Sequence, residues 1–147
     1  MSSNTRTAGW VPVVSLVLAV AGLAVSAYLT VAHYTAGALL CAEGEVLDCG
    51  TVTTSPQSEL FGVPVAVLGL AFYAFLTVIC LPFAWRNETL HWTRLMAIGL
   101  GVLFVVYLVA AEFLLIGKIC PWCTAVHVIT LALAAVLVTG ALRRSNL

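Results

Sequence analysis

The chain has 147 residues, of which 63% are hydrophobic and only 8% carry a formal charge. That composition lies far outside the range of a soluble domain and defines an all-α integral membrane protein. Six basic and six acidic side chains cancel, which excludes a nucleic-acid-binding surface and an acidic tail.

In chain order, Gly9 to Ala32 contains no Asp, Glu, Lys or Arg. Its 24 residues exceed the ~20 needed to cross a bilayer and outlast the ~7–15 apolar residues of a secretory signal. Residues 9–32 are therefore span one, with His33 and Tyr34 as interface anchors at its outer end. Residues 35–60 form the longest polar connection, carrying Cys41, Glu43, Glu45, Asp48, Cys49, Ser55 and Glu59, with room for a short surface helix. Span two is expected over 61–85, with Pro64 in its first turn and Pro82 near its end. A compact polar turn follows over Arg86 to Arg94. Span three covers 93–116, interrupted by Glu112, and span four covers 119–142, ending at Arg143-Arg144.

The expected fold is thus a single domain over 1–147, a bundle of four transmembrane helices with a long extracytoplasmic loop between the first two. Arg6, Arg86, Arg94, Arg143 and Arg144 fall on one side of such a bundle and only Lys118 on the other, so both termini are expected to be cytoplasmic. That orientation brings Cys41 and Cys49 of the loop to the same outer face as Cys120 and Cys123, where disulfides persist.

Cys120-Pro121-Trp122-Cys123 carries the clearest chemistry. With Cys120 as N-cap and Pro121 at the first helical position, unpaired amides and the helix dipole favour thiolate, aided by Lys118 nearby. A fixed Cys120–Cys123 disulfide is the plainer alternative, but so short a ring constrains the unfolded chain little. Cys41 and Cys49 supply a second dithiol that could pass electrons by successive exchange. A zinc site made of all four thiolates is a further alternative, although seven residues between Cys41 and Cys49 depart from the usual knuckle spacing, and no metal is expected. Cys80, deep in span two, reads as a packed small hydrophobe.

Together, Cys41-x7-Cys49, Ser55 six residues on, Phe61-Gly62-Val63-Pro64 at the opening of a span, and Cys120-Pro-Trp-Cys123 at the start of the last resemble the bacterial branch of the vitamin K epoxide reductase family. The resemblance covers nearly the whole chain. It implies a membrane thiol-disulfide oxidoreductase of the cell membrane that reoxidises a thioredoxin-fold, DsbA-like partner and passes electrons to a quinone, menaquinone or ubiquinone, in support of disulfide formation in exported proteins. It further implies that Cys120 and Cys123 are the active pair, with Cys123 nearer the quinone. Cys49 would exchange with Cys120, and Cys41 would form the mixed disulfide with the partner. No fused thioredoxin domain precedes Leu147, so the partner is expected to be a separate protein. Reduction of vitamin K quinone or epoxide by the same cysteines is the alternative activity. A metal-binding or purely structural membrane protein is the non-enzymatic one.

Four further residues are candidates for quinone contact. Ser55 matches the family's loop serine or threonine, or is a turn residue before Pro56. Glu112 lies about a turn inside span three, where burial of an acid is costly; it either serves proton transfer or pairs with Lys118 at the interface. His127 lies one helical turn below Cys123 on the same face, either toward the quinone or bonded to a neighbouring helix. Phe61 is one of several aromatic residues, with Phe72, Tyr73, Phe104, Tyr107 and Phe113, that either line the pocket or pack the bundle.

Overall fold

The structure is a computed structural model and describes residues 9–35, 39–41 and 44–146. Arg6 and Glu43 lie outside the described residues. Helix α1 spans Trp10–Tyr34, α2 Cys49–Thr54, α3 Val65–Ile79, α4 Glu88–Ala111 and α5 Pro121–Ser145. A short antiparallel hairpin of β1 (Glu59–Leu60) and β2 (Val63–Pro64) precedes α3.

Among the described residues, three helices are long and apolar enough to cross a membrane: Trp10–Tyr34, Glu88–Ile116 and Pro121–Ser145. The chain is a membrane protein. The region expected to form span two, 61–85, is broken into shorter pieces. Its helix covers only Val65–Ile79, about 22 Å at 1.5 Å per residue, shorter than the ~30 Å hydrocarbon core. At the front, Phe61 and Gly62 both take positive φ, 53° and 79°, the signature of a two-residue hairpin turn rather than a helix start. At the back, Leu81 is held extended before Pro82, because the proline ring disfavours the helical conformation in the residue ahead of it. A 3₁₀ turn, Pro82–Arg86, completes the segment.

The turn expected over 86–94 is also shorter than its polarity suggested. Asn87 caps α4 by accepting the Thr89 amide at 2.9 Å, and Glu88 in the first turn complements the helix dipole. Arg94 is then inside the bundle, 1% exposed. Its guanidinium donates to the carbonyl of Ile79 at 2.6 Å and, more weakly, to that of Ala84 at 3.4 Å, and lies 4.0 Å above the Trp85 ring. A residue expected in a solvated turn thus satisfies carbonyls freed where α3 ends. Cys80 is fully buried at that end, as expected of a small packed hydrophobe.

Helix α1 packs between α3 and α5, and α4 closes against α5. The core unites Ala19 of α1, Tyr73, Leu76 and Ile79 of α3, Ile98 of α4, and Leu133 and Leu137 of α5. Gly22 makes the α1–α3 contact possible: a Cβ there would lie 2.1 Å from the Tyr73 ring. Helix α4 runs directly into a π-helical turn, Glu112–Ile116, which Gly117 ends at φ 73°, with its amide donating to the Glu112 carbonyl at 2.8 Å. Only four residues, 117–120, then separate this turn from α5.

Candidate active site

The loop after α1 is fastened to the segment ahead of α5 through the backbone. Leu47 and Ile119 form a parallel bridge, in which the Asp48 amide donates to the Ile119 carbonyl at 3.1 Å and the Ile119 amide to the Val46 carbonyl at 2.9 Å. Lys118 donates to the Glu45 carbonyl, so its ammonium serves the loop and makes no ion pair with Glu112. Asp48 then caps α2, accepting the Thr51 amide at 3.0 Å and the Thr51 hydroxyl at 2.6 Å. These bonds, the hydroxyl first, hold its carboxyl below the usual carboxylate range. Cys49 is the first residue of this capped helix.

Cys41 and Cys49 are joined by a disulfide, with their Cα atoms 6.1 Å apart. Cys120 and Cys123 are thiols. Cys49 and Cys120 are both fully buried and share one small apolar cluster with Val52, flanked by Cys41, Trp122 and Cys123. The two cysteine pairs, separated by about half the chain, meet in one place.

The local geometry of α5 follows its sequence. Cys120 is the N-cap, Pro121 fills the first helical position, and the Cys123 amide donates to the Cys120 sulfur at 3.3 Å. The neighbouring Cys123 thiol, followed by the amides of Cys123 and Trp122, holds the Cys120 thiol below its ordinary value, against the opposing effect of burial and the charge of Glu112.

Below the pair lies a cavity of about 390 Å³. Cys123, His127 and Thr130 of α5 line it, and their i, i+4, i+7 spacing places them on one face. Glu112 enters from the π-helical turn, Ser55 and Ser58 from the loop, and Phe72, Tyr73 and Phe104 from α3 and α4. The remaining lining is largely aliphatic. The Tyr73 hydroxyl donates to the Val126 carbonyl at 3.2 Å and meets the Thr130 hydroxyl at 2.5 Å. Ser55 lies in the turn before Pro56, where its hydroxyl donates to the Val52 carbonyl at 2.8 Å, and it borders the cavity.

Three aromatic candidates are not brought to this cavity. Phe61 projects from the hairpin tip and is 98% exposed, because its positive φ turns the side chain away from the bundle. Tyr107 and Phe113 are also exposed and absent from the lining. Conversely, His33, expected to anchor the interface, lines the cavity together with Ser26, Gln57 and Thr130, none of which had been singled out as a ligand. Thr130 alone carried a usable signal, the helical spacing from Cys123. Among the described residues no group of three or more His, Cys, Asp or Glu side chains is arranged to hold a metal ion.

A family model for vitamin K epoxide reductases matches residues 13–138, a stretch that runs from α1 into the last turns of α5 and includes every cysteine. The chain belongs to the vitamin K epoxide reductase family. No curated protein matches it. Membership makes the chain a membrane oxidoreductase, and enzymes of the family use quinones. The cavity passes a physical test for such a molecule. A mostly apolar hollow of this volume, lined also by polar side chains such as Ser55, Glu112 and His127, suits an aromatic dione with an apolar tail.

Proposed function

We propose that this vitamin K epoxide reductase family member is a quinone-dependent thiol oxidase that renews the disulfide of a thioredoxin-fold, DsbA-like protein at the outer face of the cell membrane. In this reading α3 and its flanking turns complete a four-span bundle, both termini are cytoplasmic, and the loop with α2 lies outside. The basic residues Arg86, Arg94, Arg143 and Arg144 at one end of the bundle support that orientation. The observation that carries the proposal is the burial of Cys49 against Cys120, with Cys123 opening onto the apolar cavity.

The exchange runs as follows. A partner thiolate attacks Cys41, the half-buried member of the loop disulfide, and releases the Cys49 thiolate. The partner's second thiol displaces Cys41, leaving a partner disulfide and two loop thiols. Cys49 then attacks Cys120 of an oxidised Cys120–Cys123 pair and releases the Cys123 thiolate. Cys41 displaces Cys120 from Cys49, which restores the loop disulfide and leaves Cys120 and Cys123 reduced. Two electrons have moved inward, with the loop disulfide formed again and the active pair left as thiols.

A bound quinone supplies the two-electron, two-proton acceptor. Cys123, His127, Glu112 and Ser55 are the polar groups that would hold its head, with Phe72 and Phe104 against its apolar parts. Glu112 and His127 are buried beside Cys123 and are the titratable side chains placed to hold protons there. The apolar walls keep bulk water from the thiols.

The test is quinone-dependent oxidation of a reduced thioredoxin-fold Cys-x-x-Cys protein by the purified chain, with a short-chain benzoquinone or naphthoquinone. Cys41→Ala, Cys49→Ala, Cys120→Ala and Cys123→Ala are each expected to stop it. Normal turnover by Cys120→Ala or Cys123→Ala would refute the relay, and net flow only from thiols to a vitamin K epoxide would identify the alternative activity. A reporter at Leu147 found outside the cytoplasm would overturn the orientation.

A further inference from the structure

Leu40, the residue before Cys41, is gripped through its backbone by two other parts of the fold. Its amide donates to the Tyr28 hydroxyl at 2.7 Å, and its carbonyl accepts the Trp122 indole N–H at 2.6 Å. Tyr28 belongs to α1, and Trp122 lies between the two active-site cysteines. Their rings meet at 5.0 Å between centroids, tilted by 59°. The Leu40 side chain is 77% exposed, so its apolar group contributes little to this attachment.

We propose that Tyr28 and Trp122 form a clamp that keeps Cys41 within reach of Cys49 while the loop disulfide is open. The proposal rests on the relay described above. In that relay the Cys41 thiolate must return to Cys49 after Cys49 has bonded to Cys120. The Cys41–Cys49 bond forms, the Cys49–Cys120 bond breaks, and the electron pair leaves on the Cys120 sulfur, which the Cys123 amide already faces. No external oxidant is needed.

The step is intramolecular, so its rate follows the local concentration of the Cys41 sulfur at Cys49. With the disulfide open, the covalent tie across the loop is gone, but both bonds to Leu40 remain. They fix the direction of the backbone one residue from the nucleophile. Because one of them comes from Trp122, the clamp also references Cys41 to the pair that receives its electrons. Tyr28 and Trp122 act through Leu40 and touch no reacting atom, so they are positioning residues.

The experiment follows turnover of a reduced thioredoxin-fold Cys-x-x-Cys protein with a short-chain benzoquinone. Samples are quenched in acid, alkylated and mapped for disulfides by mass spectrometry. Tyr28→Phe removes one hydrogen bond and keeps the ring; Trp122→Phe removes the other and leaves a smaller aromatic ring. Each is expected to raise the steady-state share of Cys49–Cys120 disulfide, and to lower kcat, by about fivefold, the effect of one net hydrogen bond, with the KM for quinone unchanged. Tyr28→Phe is the decisive variant, being on α1 and outside the Cys-x-x-Cys ring. Cys41→Ser supplies the reference, since it cannot resolve Cys49–Cys120 and must accumulate it. If Cys41→Ser accumulates that species while both phenylalanine variants keep the wild-type distribution, the clamp is refuted and the relay stands. If Cys41→Ser does not accumulate it, the relay falls and takes the clamp with it.

Discussion

Replacing Gly22 by alanine tests how closely the fold and the cavity depend on one another. The added methyl would lie 2.1, 2.4 and 2.5 Å from three atoms of the Tyr73 ring, distances that force the ring to move. Tyr73 is 1% exposed and held by its hydroxyl to Val126 and Thr130. Overpacking of this kind costs about 1–3 kcal/mol, and losing one or both hydroxyl bonds adds about 1 kcal/mol each. Alanine gains about 1 kcal/mol over glycine in a helix interior, too little to offset the rest. A net loss of about 2–3 kcal/mol corresponds to a fall of roughly 5–10 °C in the unfolding midpoint for a chain of this size. The assay is thermal unfolding in detergent, read by alkylation of the buried Cys80. Because Tyr73 also lines the cavity, the KM for quinone should rise in parallel. Tyr73→Leu, which vacates the space, should recover most of the Gly22→Ala loss. A midpoint within about 2 °C of wild type, or a double variant no better than Gly22→Ala, would refute the packing argument.

Other consequences are as direct. The Cys120 thiol lies below its ordinary value chiefly because of the Cys123 thiol, so thiolate absorbance in a Cys80→Ala background should titrate below the range of an ordinary thiol, and Cys123→Ala should move it upward. The sign for stability follows: a depressed thiol value contributes stability that is present above the unfolded value and lost as pH falls through the folded one. Leu108→Trp, which fills the cavity, should raise the KM for quinone at least about tenfold, a loss of roughly 1.4 kcal/mol, whereas Phe61→Ala should leave it unchanged. Arg94→Met removes the charged bond to Ile79 and the contact with Trp85 and should destabilise by about 1–3 kcal/mol in the same unfolding assay, without altering the disulfide map.

Much of the architecture was legible because hydropathy reports directly on burial in lipid. Span one and the Cys120–Pro121 start of α5 follow from uninterrupted apolar runs and from proline's place at a helix start. The second span was expected over 61–85, while its helix covers Val65–Ile79; composition alone cannot show backbone sign, and Phe61-Gly62 is apolar enough to continue a span, yet both residues adopt positive φ and turn back. The burial of Arg94 has no local signal, since an arginine at the edge of a polar stretch does not reveal the carbonyls it serves. Within the candidate site, the spacing along α5 is enough to put His127 on the face of Cys123, whereas the meeting of Cys49 with Cys120 joins two distant segments. Glu112 was noticed because an acid in an apolar span is conspicuous, but its setting in a π-helical turn facing the cavity depends on how α4 ends. The roles of His33, Tyr28 and Leu40 arise from long-range contacts that have no local pattern.

The parallel bridge between Leu47 and Ile119 has a bearing on how such an enzyme can change over time. Main-chain hydrogen bonds set the register between the loop and the active pair, while the side chains of residues 44–47 face outward. The exposed side chains of residues 45–47 can therefore be replaced one by one without shifting a sulfur atom. Register lies in the backbone of this short segment and surface character in its side chains, so selection can act on one while leaving the other untouched.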